Sequence, residues 1–266
     1  MDTISSLAPD AERWLKLLEP QSPLVRLLLG TKYIRIVGRR FIRQYTTVPF
    51  DGIKFKVRTN DASERYMVTE IFERKVYDRM FTVEPGDFVV DVGANMGAFS
   101  IRAAKFAGAS GSVLAIEPES TNFALLTHNI RLNRLANIKT LKLALGDKEG
   151  MITLNVYRSR GSNSVIRRKG EILERTESVH LEKLDHTVAE WGARRVDVLK
   201  IDTEGVELSV LKGGLESLRR SRPKIVLETH PWGEPASEIL SFLKELDYKV
   251  TYDKSKDGTG MVYGLP

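Results

Sequence analysis

Short, wholly apolar runs bounded by acids and glycines alternate along this chain with longer amphipathic stretches. Residues 88–90 are such a run; Asp91 follows, then a turn punctuated by Gly93 and Gly97, then an amphipathic segment over 98–107 closed by Gly108. The pattern predicts a buried parallel strand, a tight turn and a helix. It then repeats. Residues 112–116 predict a second strand ending in Glu117-Pro118, and Phe123, Leu126 and Ile130 mark a helix that has Ser120 as N-cap and ends near Asn137. Residues 138–145 predict a third strand closing on Gly146-Asp147, and 151–157 a further one. Residues 196–201 predict a buried strand leading into Asp202-Thr203-Glu204-Gly205-Val206-Glu207, followed by a helix on Leu208, Leu211, Leu215 and Leu218 that Gly213-Gly214 interrupts. A strand over 224–227 ends in Glu228-Thr229-His230, a helix covers 235–246, and 248–252 with 261–265 form a closing antiparallel pair. Upstream, 48–57 reads as a hairpin about Asp51-Gly52 and 62–80 as a helix, while the polar, basic segment 159–175 reads as a loop, either a lid or a connection. Alternating strands and helices of this kind imply a doubly wound α/β sheet.

The turn after the first strand carries the first chemical information. Its glycines let a ligand approach the main chain, and the helix behind it offers free N–H groups. Asn95 stands where a dinucleotide fingerprint requires its second glycine, which argues against NAD. Glu117 ends the second strand roughly twenty residues after the turn, where nucleotide binders hold ribose hydroxyls. Asp202, Glu204 and Glu207 crowd the end of one strand and Glu228 and His230 the end of another. Acids in a first helical turn also complement the helix dipole, but three are more than that requires. Opposite the acid-bearing end of the other strand, Glu228 and His230 become candidates for acid/base or metal work.

At 266 residues and 42% hydrophobic content, the chain suits one α/β domain over 48–266 with a helical N-terminal extension or cap over 1–47. No stretch approaches ~20 uncharged apolar residues, and the first ten residues lack the basic and apolar regions of a secretory signal, so a cytoplasmic location is the default expectation. The absence of cysteine excludes disulfides, thiolate metal sites and cysteine nucleophiles. The net charge of +6 is unevenly placed: Lys32, Arg35, Arg39, Arg40 and Arg43 form one acid-free run, and Arg158, Arg160, Arg167, Arg168 and Lys169 a second. Such runs suit an anionic partner such as RNA, a charged glycan or a lipid surface, or else form solvated faces. The basic segment 24–45 would pack over the active site or make peripheral contact with a membrane.

Asp91-Val-Gly-Ala-Asn-Met-Gly97, Ile116-Glu-Pro118, Asn129-Ile-Arg-Leu-Asn133, Ala144-Leu-Gly-Asp147, Leu184-Asp185 and Lys200-Ile-Asp-Thr-Glu-Gly-Val-Glu207, followed by Leu211-Lys-Gly213, together resemble the FkbM family of S-adenosylmethionine-dependent methyltransferases. The resemblance covers roughly residues 65–235. It implies a class I methyltransferase, Rossmann-like sheet of strand order 3-2-1-4-5-7-6 and O-methylation of a sugar, glycolipid or other metabolite. It also implies that Asp91, Gly93, Ala94, Asn95 and Gly97 hold the methionine end of the cofactor, that Glu117 and Pro118 meet the ribose, and that Ala144 and Asp147 lie near the adenine.

An alcohol needs help to lose its proton at neutral pH. Asp202, Glu204, Glu228 and His230 are the catalytic candidates, with His230 or Glu228 as base and Asp202 orienting substrate or cofactor. No dedicated metal set is assigned, although hard cations prefer carboxylates and a divalent ion on these oxygens is a variant of the same reading. The rival function is tRNA methylation through the basic segments. Against it, the chain has no Asn-Pro-Pro-type base clamp, and Glu228-Thr229-His230 substitutes poorly for one. A non-catalytic cofactor-binding module is the third reading.

Overall fold

The computed structural model describes residues 45–266 apart from 60–61, 159–160 and 194. Of the expected helical extension over 1–47, residues 1–44, with the first basic run and the membrane-contact segment up to residue 44, lie outside the described residues; residues 45–47 are not helical but belong to the first strand of the hairpin.

Strands β1 (Tyr45–Phe50) and β2 (Ile53–Arg58) form the expected hairpin. Asp51 and Gly52 both take positive φ (46° and 73°), which matches the twist of a two-residue hairpin loop. Ile53, Phe55 and Val57 alternate inward along β2. The sequence predicts one helix over 62–80, but the chain instead makes α1 (Ala62–Thr69), a π-helical turn (Glu70–Arg74), a left-handed Lys75 (φ 52°) and a short 3₁₀ turn (Val76–Asp78). The break buries Tyr77 edge-on against Phe99, with ring centroids 5.3 Å apart, and the Tyr263 hydroxyl donates to the carbonyl of Val76 (2.7 Å).

The central sheet contains β3 (Phe88–Val92), β4 (Ser112–Ile116), β5 (Ile138–Leu141), β9 (Val198–Ile201), β10 (Lys224–Thr229), β11 (Lys249–Lys254) and β12 (Gly260–Leu265). Its spatial order is β5-β4-β3-β9-β10-β12-β11, which in order of appearance within the sheet is 3-2-1-4-5-7-6. All neighbours are parallel except β12, which runs antiparallel to both β10 and β11. The strands read as continuous apolar runs because both faces are covered. Val89, Val113, Val198 and Val226 face α2 (Ala98–Ala107), α3 (Ser120–Leu132) and the hairpin. Val90, Leu114, Leu199 and Ile225 face α4 (Leu184–Glu190), α5 (Glu207–Gly213), α6 (Leu215–Ser221) and α7 (Ala236–Glu245).

Three further expectations are corrected. The predicted strand 138–145 divides: β5 stays in the central sheet, while β6 (Ala144–Gly146) joins β7 (Gly150–Tyr157) and β8 (Leu173–Lys183) in a second sheet of order β6-β8-β7. That sheet shields Ala144, Leu154, Val156, Val179 and Leu181. The N-cap of α3 is Glu119, whose carboxylate accepts from the N–H groups of Thr121 (3.0 Å) and Asn122 (2.7 Å), while Ser120 bonds Glu177 of β8. α3 also stops at Leu132 rather than near Asn137, and in the polar segment after β7 Ser164 bridges Asn155, while its last residues, from Leu173, already belong to β8.

Asn129 of α3 and its C-cap residue Asn133 act as a surrogate strand along β2. Lys56 N–H donates to Asn129 Oδ1 (2.8 Å), and Asn129 Nδ2 donates to the Lys56 carbonyl (3.3 Å). Asn133 exchanges the same pair with Lys54 (2.9 and 2.8 Å). Asn129 Nδ2 also lies 3.0 Å from the carbonyl of Met96, which ties the hairpin to the glycine turn.

Candidate active site

The site forms where β3, β4, β9 and β10 end. After β3 the chain turns on Gly93 (φ 76°) and Asn95 (φ 50°), and the N–H groups of Gly93 and Ala94 both donate to the Ile116 carbonyl (3.0 and 2.9 Å). This bond pair seats the turn on the end of β4. A Cβ at Gly93 would stand 1.8 Å from the Asp202 carbonyl oxygen, so only glycine lets the ends of β3 and β9 approach this closely.

Beside the turn lies a cavity of about 330 Å³. Of the residues expected to hold a cofactor, Gly93, Asn95, Glu117, Pro118, Ala144 and Asp147 line it. Asp91, Ala94 and Gly97 do not. The Asp91 carboxylate is fully buried behind the turn, where it takes the Ser100 hydroxyl and the Lys200 ammonium (2.9 Å). Lys200 donates in turn to the Gly93 carbonyl (2.7 Å). Burial by itself would lower the Lys200 pKa, but Asp91 and then Asp202 outweigh it and hold it above the ordinary value. Gly97 (φ 91°) begins α2 and packs against Leu126, whose Cδ1 would lie 2.6 Å from an added Cβ.

Glu117 offers an acceptor on the cavity wall. Its oxygens receive the N–H groups of Asn95 (2.8 Å) and Glu119 (2.9 Å), and each keeps lone-pair capacity for a ligand. Burial raises its pKa to about 7, against the pull of those two N–H groups.

The four catalytic candidates come together at one edge of this cavity. Asp202 and Glu204 line it, while Glu228 and His230 stand behind them. His230 Nε2 lies 3.6 Å from Glu204 Oε2 and 3.9 Å from Asp202 Oδ1, and the Tyr77 hydroxyl reaches Asp202 Oδ2 at 3.5 Å. Burial, joined by the charge of Asp202, raises Glu204 and Glu228 to about 8 each. Burial pushes His230 down, but the Glu207 bond and the charges of Glu204 and Asp202 prevail and raise it to about 10.

Several participants were not assigned from the sequence. Glu207, fully buried, accepts from the N–H groups of Thr203 (3.2 Å) and Gly205 (2.9 Å) and lies 3.3 Å from His230 Nδ1, fixing the ring. Arg168 lies over the Trp232 ring (3.6 Å to its centroid) and reaches Glu204 at 3.5 Å, and Ser164 Oγ donates to the Glu204 carbonyl (2.7 Å). The segment read as a lid or a connection therefore closes one wall of the site. The signal for Lys200 was a lone cation inside an apolar strand, which needs a buried acid. Arg168 and Glu207 carried no such signal.

The Methyltransferase FkbM domain model matches residues 91–250. Methyltransferase sdnD of Sordaria araneosa is 27% identical over 221 residues, covering 72% of this chain and 85% of that protein. The 31-O-demethyl-FK506 methyltransferase FkbM of Streptomyces tacrolimicus is 25% identical over 224 residues, covering 73% and 85%. Among solved structures, methyltransferase FkbM from Methylobacillus flagellatus KT superposes with a TM-score of 0.50 at 17% identity, over 74% of this chain and 47% of that one. A fibrillarin/Nop5p complex superposes with a TM-score of 0.50 at 14% identity, over 84% and 89%. The two superpositions carry the fold; the match over 91–250 carries the family. With its class I sheet, its glycine turn and the acid-lined cavity beside it, this chain belongs to the FkbM family of S-adenosylmethionine-dependent methyltransferases.

Proposed function

We propose that this enzyme methylates a hydroxyl of a small-molecule or glycan acceptor. The observation that carries the reading is that Asp202 and Glu204 belong both to the cavity wall and to a buried acid–imidazole cluster, so a proton acceptor stands at the edge of the cofactor cavity. The residues fit S-adenosylmethionine. Glu117 would accept the ribose hydroxyls, the main chain at Gly93 and Asn95 would meet the methionine end, and Ala144 and Asp147, which line the same cavity, would border the adenine. Pro118 would lie against the ribose, while Asp91, Ala94 and Gly97 would act from behind by shaping the turn. When bound, the cofactor supplies a methyl already activated by its sulfonium.

The chain's task is then to orient the acceptor and remove its proton. Glu204 is the base favoured by position, since it lines the cavity and Glu228 and His230 do not. Glu204 would accept the acceptor's hydroxyl proton on its carboxylate, which would free the oxygen lone pair for the methyl that the cofactor would supply. Holding the oxygen in line can contribute ~7–11 kcal/mol. The relative that acts at a 31-O position of an FK506 precursor, by its name, is consistent with an alcohol acceptor. The tRNA reading is weakened at one residue, because Arg168 of the second basic run turns inward to Glu204 and Trp232.

The test is a screen of purified enzyme with S-adenosylmethionine against sugars, glycolipids, other hydroxylated metabolites and tRNA, with the product mapped by mass spectrometry. Methyl ethers on an alcohol support the reading. Methylation of tRNA alone, with binding that weakens steeply with salt, overturns it.

A further inference from the structure

We propose that Asp202, Glu228 and His230 form a binding site for one divalent cation of the Mn²⁺ class, with Glu207 holding the imidazole in its ligating orientation. One oxygen from each acid and one ring nitrogen lie within 4.8 Å of one another. Donors about 2.1 Å from a common ion stand roughly 3–4 Å apart, so small side-chain rotations close the set.

His230 is the second observation that points to a ligand. Its side chain is only 4% exposed, and its Nδ1 is held by Glu207 at 3.3 Å. Its Nε2 faces the carboxylates at 3.6 and 3.9 Å without a hydrogen bond among the described residues. An imidazole with one nitrogen anchored on a carboxylate and the other presented to oxygens is the arrangement that metal-ligating histidines adopt. The Glu228 carboxylate likewise receives no hydrogen bond from any described residue, although it is mostly buried. Four carboxyl groups, those of Asp202, Glu204, Glu207 and Glu228, converge on this one ring. Two carboxylates with one imidazole suit Mn²⁺ better than Mg²⁺ or Ca²⁺, which take oxygen alone.

A second His/acid group, Glu149, Glu182 and His186, serves as a comparison. Its imidazole is exposed, and both ring nitrogens are already paired, with Glu182 at 3.1 Å and Glu190 at 3.4 Å.

The proposal's catalytic meaning rests on the reading of hydroxyl methylation. A cation beside Asp202 would lower the proton affinity of an acceptor hydroxyl in the cavity and leave Glu204 to take the proton. Binding of the ion does not depend on that reading.

The experiment titrates the 266-residue protein with MnCl₂, reading bound ion by calorimetry and by loss of the free Mn²⁺ electron paramagnetic resonance signal. S-adenosylmethionine affinity is measured in parallel. We expect one ion per chain in the wild type, at least tenfold weaker binding in Glu228→Gln, about 10–100-fold weaker binding in Glu207→Gln, and an unchanged affinity in His186→Ala. Both site variants should keep S-adenosylmethionine affinity within twofold, showing that they fold. If Glu228→Gln loses both ligands, His230→Gln repeats the comparison. A wild type that binds S-adenosylmethionine but no Mn²⁺ overturns the cation site, as does Mn²⁺ binding that His186→Ala abolishes and Glu228→Gln spares. Failure to bind S-adenosylmethionine alongside intact Mn²⁺ binding would overturn the reading of the cavity instead, and leave the cation site standing.

Discussion

The backbone of Gly93 sits so close to that of Asp202 that a Cβ on the glycine would lie 1.8 Å from the Asp202 carbonyl oxygen and 2.8 Å from its carbon. The Asp202 N–H also donates to the Val92 carbonyl (3.0 Å), so neither strand end can yield without loss of sheet pairing. Gly93→Ala should therefore destabilise the protein by about 4 kcal/mol or more and abolish S-adenosylmethionine binding. Gly86→Ala makes the contrast: its φ is 91°, but the nearest atom to an added Cβ, Ser110 Oγ, is 3.7 Å away, so only about 1 kcal/mol of backbone strain should appear in denaturant titrations.

Lys200 and Asp91 are a buried ion pair in which each needs the other. Lys200→Met leaves Asp91 uncompensated and frees the Gly93 carbonyl. A loss of about 3–5 kcal/mol is expected in chemical unfolding, and the double variant with Asp91→Asn should recover part of it.

Glu117 should make cofactor binding and stability depend on pH in opposite directions. Its folded pKa, about 7, lies above the ordinary 4.5, so the native state holds the proton more tightly than the unfolded chain. Its contribution to stability is thus present at low pH, is lost as pH rises from 4.5 towards 7, and amounts to about 3 kcal/mol once fully lost. Ribose hydroxyls prefer the carboxylate, so S-adenosylmethionine affinity should rise through the same window and level off above it. Glu117→Gln should flatten both profiles and weaken the cofactor at pH 8 by about 10–100-fold, equivalent to one or two charge-assisted hydrogen bonds.

Glu204→Gln should separate chemistry from binding. As the base that lines the cavity, it should lower kcat by about 10²–10⁴-fold, with S-adenosylmethionine affinity within twofold of wild type by calorimetry. An unchanged kcat would pass the role of base to Glu228 or His230.

Much of this site could be read from the sequence because its pieces end apolar runs. Val89-Val90 before Asp91, Leu114-Ala115-Ile116 before Glu117 and Leu199 before Asp202 all signal buried strands, and a parallel sheet brings their carboxyl ends together. What escaped reading lacks that contrast. β8 (Leu173–Lys183) is half solvated, with Glu174, Thr176, Ser178 and His180 exposed; its first residues fell within the segment read as a loop, and the rest was assigned to no element. The break at Lys75 follows from burying Tyr77 beneath the site, a tertiary demand that leaves no mark in helix periodicity. Glu207 looked like one more acid in a helical first turn, and only the fold shows that it reaches the ring of His230, a residue from the next strand. Asn129-Ile-Arg-Leu-Asn133, quoted for its family resemblance, turns out to be backbone recognition: two amides spaced one helical turn apart match two alternate residues of a strand.

That amide ladder means that the cofactor turn is braced from outside the span that the methyltransferase domain matches. Asn129 grips Lys56 with the same side chain that holds the Met96 carbonyl, so an edge strand some forty residues ahead of the glycine turn is one of its supports. A chain trimmed to the matched span of 91–250 would keep every residue assigned to cofactor contact. It would lose the hairpin that answers Asn129, along with β12 beside β10, and would contain the complete list of binding residues without the scaffold that holds them in place.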